Sequence, residues 1–558
     1  MLSTLRLQIE ELCKAAVGEA FPDGVESLSD FELEQTKEKI HGDFSCHMAL
    51  RLAKPLKKNP LLIANNLCAL VDQKIKASPL SSVVEKVEVK KPGFINFYLS
   101  PKAFFPVLSE IFSQGASYGS SEKGKGKKVQ IEFVSANPTG PLTVAHARQA
   151  AVGDALGNIL KFLGFDVTKE YYINDEGNQI KILGQSVKAR AKEILGCQDP
   201  FPEDHYQGSY VVAMARDFMA EQNIKTLEAL QALSDQAFQA FGVRYLMDLI
   251  RKDLNDFGVH FDVWTSQAKV ATPETIENAL KAIEEKGYIY QADGATWFKS
   301  TELGDDKDRV VKKSDGLYTY LSPDIAYHKN KFDRGFDWVI DILGPDHHGY
   351  IPRLKAAVQA LGHDPKQIDV LIVQLATLFR KGQPVSMSTR KGEFISLREV
   401  MDEVGIDAAR FFFLLRHMNA HLEFDLELAK EQTPENPVYY IQYAHARIHS
   451  IFIKAKEAHI KVASGDFSLL KEDEEIDLIK KMASFEDALS MCLHQIDPFA
   501  VLTYLIDFAG AFHRFYDKHK VIGDDPHLSS QRLALVMAAK IVFANGLALL
   551  GVSVPEKM

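Results

Sequence analysis

Apolar and polar residues change rhythm over Val129 to Gly164. Val129, Ile131 and Phe133 interleave with polar positions at the period of two that a strand shows. Asn137, Pro138, Gly140 and Pro141 mark a loop, after which Val144, Ala147, Ala151, Ala155 and Ile159 recur at spacings of three and four. A helix is therefore predicted from near Thr143, with His146 in its first turn. Upstream, Leu5, Ile9, Leu12 and Ala16 predict an opening helix, followed by a Gly/Asp/Ser-bearing segment to about Asp30 and a second helical run from Met48 to Val71. Val87 and Val89, then Ile95, Phe97 and Leu99, alternate on either side of Pro92-Gly93 and predict a hairpin. Residues 1–118 thus read as a small α+β domain, and 119–128, GSSEKGKGKK, as a flexible basic linker.

Downstream of the first helix the pattern predicts a second strand, Val167 to Ile173, and a helix from Gln179 to about Leu195. A mostly helical insertion follows over about 196–305, in which Tyr206 and Tyr210, four apart, are expected to pack. Three apolar runs, Leu317 to Asp324, Trp338 to Leu343 and Val370 to Gln374, read as buried strands. Strands alternating with helices over 129–415 imply an α/β, Rossmann-like parallel sheet with ligands at the carboxyl ends of its strands. Residues 416–558 repeat at helical spacing in Tyr439 to Lys454, Leu478 to Leu493, Phe499 to Tyr516 and Leu533 to Leu550, which predicts an all-α bundle.

Composition narrows the class. A chain of 558 residues exceeds a single core, and its 46% hydrophobic and 25% charged residues are those of a globular protein. Cys13, Cys46, Cys68, Cys197 and Cys492 are scattered, odd in number and without a C-x-x-C pair, which argues against a zinc site or disulfide framework and for a reducing cytoplasm. The opening MLSTLRLQIEELCK carries charges where a secretory signal needs an apolar run, and no stretch is expected to span a membrane. The net charge of -10 is not that of a general RNA binder, so any RNA contact rests on local patches such as Arg51, Lys54, Lys57 and Lys58.

A helix start carries unpaired amides and the positive end of the dipole, so Thr143 and His146, three apart, suit an anion site, while a strand-loop-helix crossover without a ligand accounts for the same residues. No Ser-His-Asp or Cys-His set stands out. Gly344, Asp346, His347 and His348 follow a predicted strand, where capping or ligand contact both fit the residues and a metal, lacking a third ligand in reach, fits least. Glu132, between Ile131 and Phe133, needs a partner if it faces inward.

SANPTGPLTVAH (135–146), YYINDEGNQ (171–179), LYTYLSPDIAY (317–327), GPDHHGYIPRLKA (344–356) and MSTRKGEF (387–394), followed by GIDAARFFF and NPVYYIQYAHARI, are collinear over nearly the whole chain. This set resembles the arginyl branch of the class I aminoacyl-tRNA synthetases. The resemblance implies a Rossmann-like class I catalytic core, an N-terminal domain touching the tRNA corner and a helical anticodon-binding domain. It implies an arginine–tRNA ligase that uses ATP, with Mg2+ as the nucleotide's companion, and works as a cytoplasmic monomer on L-arginine and the arginine tRNA. By the same resemblance Asn137, Pro138, Thr139, Gly140, Pro141, Leu142, Thr143, Val144, Ala145 and His146, with Gly344, Asp346, His347, His348, Met387 and Ser388, face ATP. His146, Thr143 and Arg390 act in catalysis. Glu132 and Asp324 receive the guanidinium, Tyr320 flanks it, and Ser135 and Asn137 orient the amino acid's amine and carboxylate. Tyr440, Tyr443, His445, Arg447, His513, Arg514 and Tyr516 are candidates for anticodon contact. Two departures are visible: Thr143 and Ala145 replace the family's usual histidine and glycine, and Ser386 to Arg390 lacks the signature lysines, leaving Arg380, Lys381, Arg390 and Lys391 as nearby cations. They motivate an alternative reading, a tRNA-binding paralogue without catalysis. A different nucleotidyltransferase would leave the helical C-terminal domain unexplained.

Overall fold

The computed structural model describes residues 2–22, 31, 33–36, 39–385 and 394–558. Its centre is a five-stranded parallel sheet of β1 (Lys128–Glu132), β2 (Asp166–Ile173), β3 (Val263–Ser266), β4 (Trp338–Leu343) and β5 (Ile368–Ile372), in the order β5-β4-β1-β2-β3. Helix α1 (Val144–Phe162) links β1 to β2 on one face, where Val129, Ile131 and Phe133 are buried beneath it. Gly153 makes that approach possible, since a Cβ there would lie 2.3 Å from the Phe133 ring. Helix α2 (Leu321–Asp333) covers the opposite face. The winding reverses between β1 and β4, the place where a doubly wound sheet opens a crevice at its carboxyl edge.

Several expectations need correction. The run Leu317 to Asp324 is not a strand: Leu321, Ile325, His328 and Phe332 are buried at helical spacing, and Pro323 sits in the first turn, where its missing N–H costs nothing. The region 196–305 contains β3, and with Arg309–Lys312 it also builds a three-stranded antiparallel sheet from Ile289–Ala292 and Ala295–Phe298. The run from Met48 divides into Met48–Leu56 and Pro60–Lys76, because Lys57 turns left-handed and Asn59 caps a new helix opened by Pro60. The segment to Asp30 falls largely outside the described residues. The expected flexible linker is fastened: Gly124 N–H bonds Leu163 O at 3.0 Å, and Lys123 Nζ reaches Ser490 Oγ at 2.7 Å. The N-terminal hairpin, Val84–Lys90 with Phe94–Leu99, lies in a four-stranded antiparallel sheet.

Leu422–Asp425 pairs in parallel with Ala376–Arg380, so the chain just past 416 still belongs to the sheet-bearing part. Helices Pro437–Glu457, Asp473–Ala483, Phe485–Gln495, Phe499–Lys518 and α3 (Pro526–Leu549) form the bundle, the second expected helix being interrupted at Ser484. By length and a mean hydropathy of 1.6, α3 could cross a membrane, but it carries Arg532 and Lys540, and two thirds of that window is buried inside the bundle, as in a core helix. Two buried arginines join the parts. Arg410 donates to Leu550 O (3.1 Å), Phe257 O (2.9 Å) and the Asp154 carboxylate on α1, and Gly551 lies so close that a Cβ would touch the guanidinium. Arg148 donates to Gln374 O (2.7 Å), Ala420 O (2.8 Å) and His417 O (3.0 Å).

Candidate active site

At the start of α1, Thr143 occupies the N-cap and His146 the third position of the first turn. Thr143 N–H donates to His146 Nδ1 at 3.1 Å, and the Thr143 hydroxyl lies 3.2 Å from the same nitrogen. The two side chains expected to face a phosphate side by side thus hold one another, and the ring carries its proton on Nε2. Burial lowers the imidazole pKa to about 4 against a smaller upward pull from Asp346. His146 is therefore a neutral donor at pH 7. The influence of Asp346 also brings the turn Pro345–Tyr350, with half-buried His347 and exposed His348, to the mouth of α1. Gly344 lies beside Gln149 of α1.

Between β1 and α1, Val134 and Ser135 take positive φ angles of 67° and 38°. These are strained for non-glycine residues, and such strain clusters at functional loops. The Ser135 hydroxyl donates to Glu132 Oε1 at 2.9 Å and accepts Tyr172 N–H at 3.1 Å. Asn137 donates to Gln179 at 2.8 Å, and the Tyr210 hydroxyl donates to Thr139 O at 2.7 Å, tying the insertion to the loop. Tyr210 thus packs, as expected, and adds a polar contact. Pro138, Leu142 and Val144 are buried, while Gly140, Pro141 and Ala145 are partly exposed. Leu142 O accepts Leu397 N–H at 2.8 Å.

Glu132 faces α2, level with Asp341 on β4 and Glu170 on β2. Three adjacent buried carboxylates require cations, and the helix supplies them. Lys331 Nζ lies 2.6 Å from Glu132 Oε2 and 2.6 Å from Asp341 Oδ1, His328 Nε2 lies 2.8 Å from Asp341 Oδ2, and Arg334 lies 2.8 Å from Glu170. Burial works against the Lys331 charge, but Asp341 and Glu132 outweigh it and hold the ammonium above the ordinary lysine range. For Asp341 burial is likewise overcome by Lys331 and His328, and its pKa falls. Asp324 stands on α2 one turn before His328, and its carbonyl lies 2.7 Å from His328 Nδ1. Burial raises its carboxyl pKa to about 7, with Glu132 and Asp341 adding to the rise and His328 and Lys331 opposing it. Glu132 is thus close enough to Asp324 for its charge to be felt there.

Tyr320, at the N-cap of α2, is 88% exposed. Met387, Ser388 and Arg390, with Lys391, lie outside the described residues; Arg380 is engaged with Glu403 at 2.6 Å. Lys331, His328 and Asp341 escaped the sequence reading. Asp324, His328 and Lys331 follow at i, i+4 and i+7, a helical stripe hidden by taking the preceding run as a strand, and Asp341 interrupts the apolar WVIDIL. In the bundle, the Arg447 guanidinium stacks 4.5 Å from Tyr443 and 4.3 Å from Tyr516, while buried His445 and His513 bond backbone carbonyls of Pro555 and Tyr440.

Comparison with known proteins bears on all three parts. Residues 107–427 match the family described as class I tRNA synthetases (R), catalytic domain, residues 441–558 the DALR anticodon binding domain, and residues 7–99 the arginyl tRNA synthetase N-terminal domain. The chain is 47% identical over 560 residues to an arginine–tRNA ligase of Desulfosudis oleivorans, covering 99% of both sequences. It is 45% identical over 552 residues to one of Bacillus subtilis, covering 99% of this chain and 98% of the relative. Its fold is similar to that of Thermus thermophilus arginyl-tRNA synthetase, with a TM-score of 0.75 over 99% of this chain and 100% of that one at 22% identity.

Proposed function

Because the chain belongs to the arginyl-tRNA synthetase family, we propose that it is an arginine–tRNA ligase. It joins L-arginine to ATP as arginyl-adenylate with release of pyrophosphate, then transfers the arginyl group to the 3' end of the arginine tRNA with release of AMP. What supports the reading is that the strand ending in Glu132, whose charge acts on Asp324, leads into the helix start that carries neutral His146 in its first turn.

The arginine carboxylate attacks the α-phosphorus directly, so the protein needs no nucleophile; its work is positioning and charge stabilisation. His146 Nε2–H and the first amides of α1 donate to phosphate oxygens, and Mg2+ arrives with ATP as part of the substrate. Gly344, Asp346, His347 and His348 line the nucleoside side. Ser135 and Asn137 orient the amine and carboxylate, and Tyr320 would have to swing inward to cover the side chain. Glu132 and Asp324 take the guanidinium, whose planar donors match carboxylates two at a time. The stack of Arg447 between Tyr443 and Tyr516 offers a platform for unpaired tRNA bases, and the N-terminal domain a surface for the tRNA corner. Five free thiols suit a reducing cytoplasm, and one chain carries every part the reaction needs, which suits a monomer.

Charging of purified tRNA with each of the twenty amino acids is the test. Only arginine should give acid-precipitable aminoacyl-tRNA; binding of tRNA without arginine-dependent charging or pyrophosphate exchange would sink the proposal.

A further inference from the structure

We propose that Lys331 is a positioning residue that sets selectivity for a guanidinium, an inference resting on the reading of Glu132 as a guanidinium partner. Lys331 is fully buried. Its ammonium is 2.6 Å from Glu132 and 2.6 Å from Asp341, and its nitrogen stands 4.4 Å from the centre of the Tyr327 ring. With partners on three sides, the cation is held where it is and does not itself reach for substrate.

What it does to Glu132 follows from counting acceptor positions. A carboxylate offers about two per oxygen. Lys331 takes one on Oε2, and the Ser135 hydroxyl, itself held by Tyr172 N–H, takes one on Oε1. One position remains on each oxygen, and the two parallel N–H groups of a planar guanidinium meet both in line, whereas the splayed N–H groups of an ammonium do not match that spacing. Lysine as a substrate would meet the two acceptors with poorer geometry, which a buried site penalises. The competing role, neutralising Asp341 alone, predicts that removing both charges restores the wild-type enzyme, because Asp341 has a second partner in His328.

The experiment compares Lys331→Met with the double variant Lys331→Met/Asp341→Asn, measuring melting temperature, KM for arginine, KM for ATP and misactivation of lysine by pyrophosphate exchange. We expect the double variant to recover most of the stability lost in Lys331→Met while its KM for arginine stays about tenfold above wild type, its KM for ATP stays within about twofold, and its preference for arginine over lysine narrows. A return of the arginine KM and the arginine/lysine ratio to wild-type values in the double variant would overturn the proposal. Should neither methionine variant fold, Lys331→Gln carries the same test: a raised arginine KM at constant ATP KM supports the role, and an unchanged one refutes it. A wild-type protein that charges no arginine would instead refute the underlying function, before any variant is made.

Discussion

Asp324 binds a proton at pH values where an ordinary aspartate does not. Its carboxyl titrates near 7 in the fold against an ordinary 3.8, chiefly because it is buried. Between those values the folded state holds a proton that the unfolded chain has lost, so this group's contribution to stability falls as pH rises from about 4 to about 7. Substrate has the opposite demand. A guanidinium needs the ionised carboxylate, so arginine binding near neutrality releases a proton, and the KM for arginine should rise towards about tenfold per unit as pH drops below 7. Asp324→Asn should raise that KM at neutral and higher pH and flatten its pH dependence, so that variant and wild type converge as pH falls, with little effect on the KM for ATP. A slope unchanged in the variant would refute the assignment of the titration to Asp324. At this scale sequence was informative where a residue sits in a motif and poor where it serves another residue. Glu132, Ser135 and His146 stood out from their neighbours, whereas Lys331 and Asp341 are defined by each other across 10 positions and only the fold brings them together.

In the proposed mechanism helix α1 joins the two halves of the chemistry, its amino end facing phosphate while its middle presses on β1. The contact at Gly153 tests that coupling. In an open helix, replacing glycine by alanine gains about 0.5–1 kcal/mol. Here the added methyl would overlap the Phe133 ring, and overpacking a core costs about 1–3 kcal/mol. The second effect is larger, so Gly153→Ala should lower the melting temperature and raise the KM for ATP, measured by calorimetry and pyrophosphate exchange. An unshifted melting curve would mean that α1 does not bear on the strand. The β1-loop-α1 unit was legible because its hydrophobic period changes from two to nearly four across a loop rich in proline and glycine. Helix α2 was not, since Leu317 to Asp324 is apolar and aromatic enough to pass for a strand. Strand β3 was missed for a different reason: it is four residues long and only Thr265 is buried.

At the scale of the whole molecule, the parts are joined by buried guanidinium groups rather than by apolar contact alone. Arg410 ties α1 through Asp154 to the turn after α3, and Arg148 ties it to the carbonyls near 417–420. Each fork reads several carbonyls at once, a geometry a lysine cannot reproduce. Changes of pattern along the chain pointed to separate parts, but these seams could not be foreseen, because their partners are backbone atoms distant in sequence.

The carboxylates facing α2 have a further consequence for how the protein responds to denaturants. If Glu132 and Asp324 receive the guanidinium as proposed, they should also accept that cation without its amino acid. Guanidinium chloride at millimolar concentration should compete with arginine and raise the melting temperature, by about 1.4 kcal/mol of stability at ten times its dissociation constant, before molar concentrations unfold the chain. Urea, uncharged, and sodium chloride at equal ionic strength should show no such initial rise. If all three give the same early curve, the pocket does not bind the free ion.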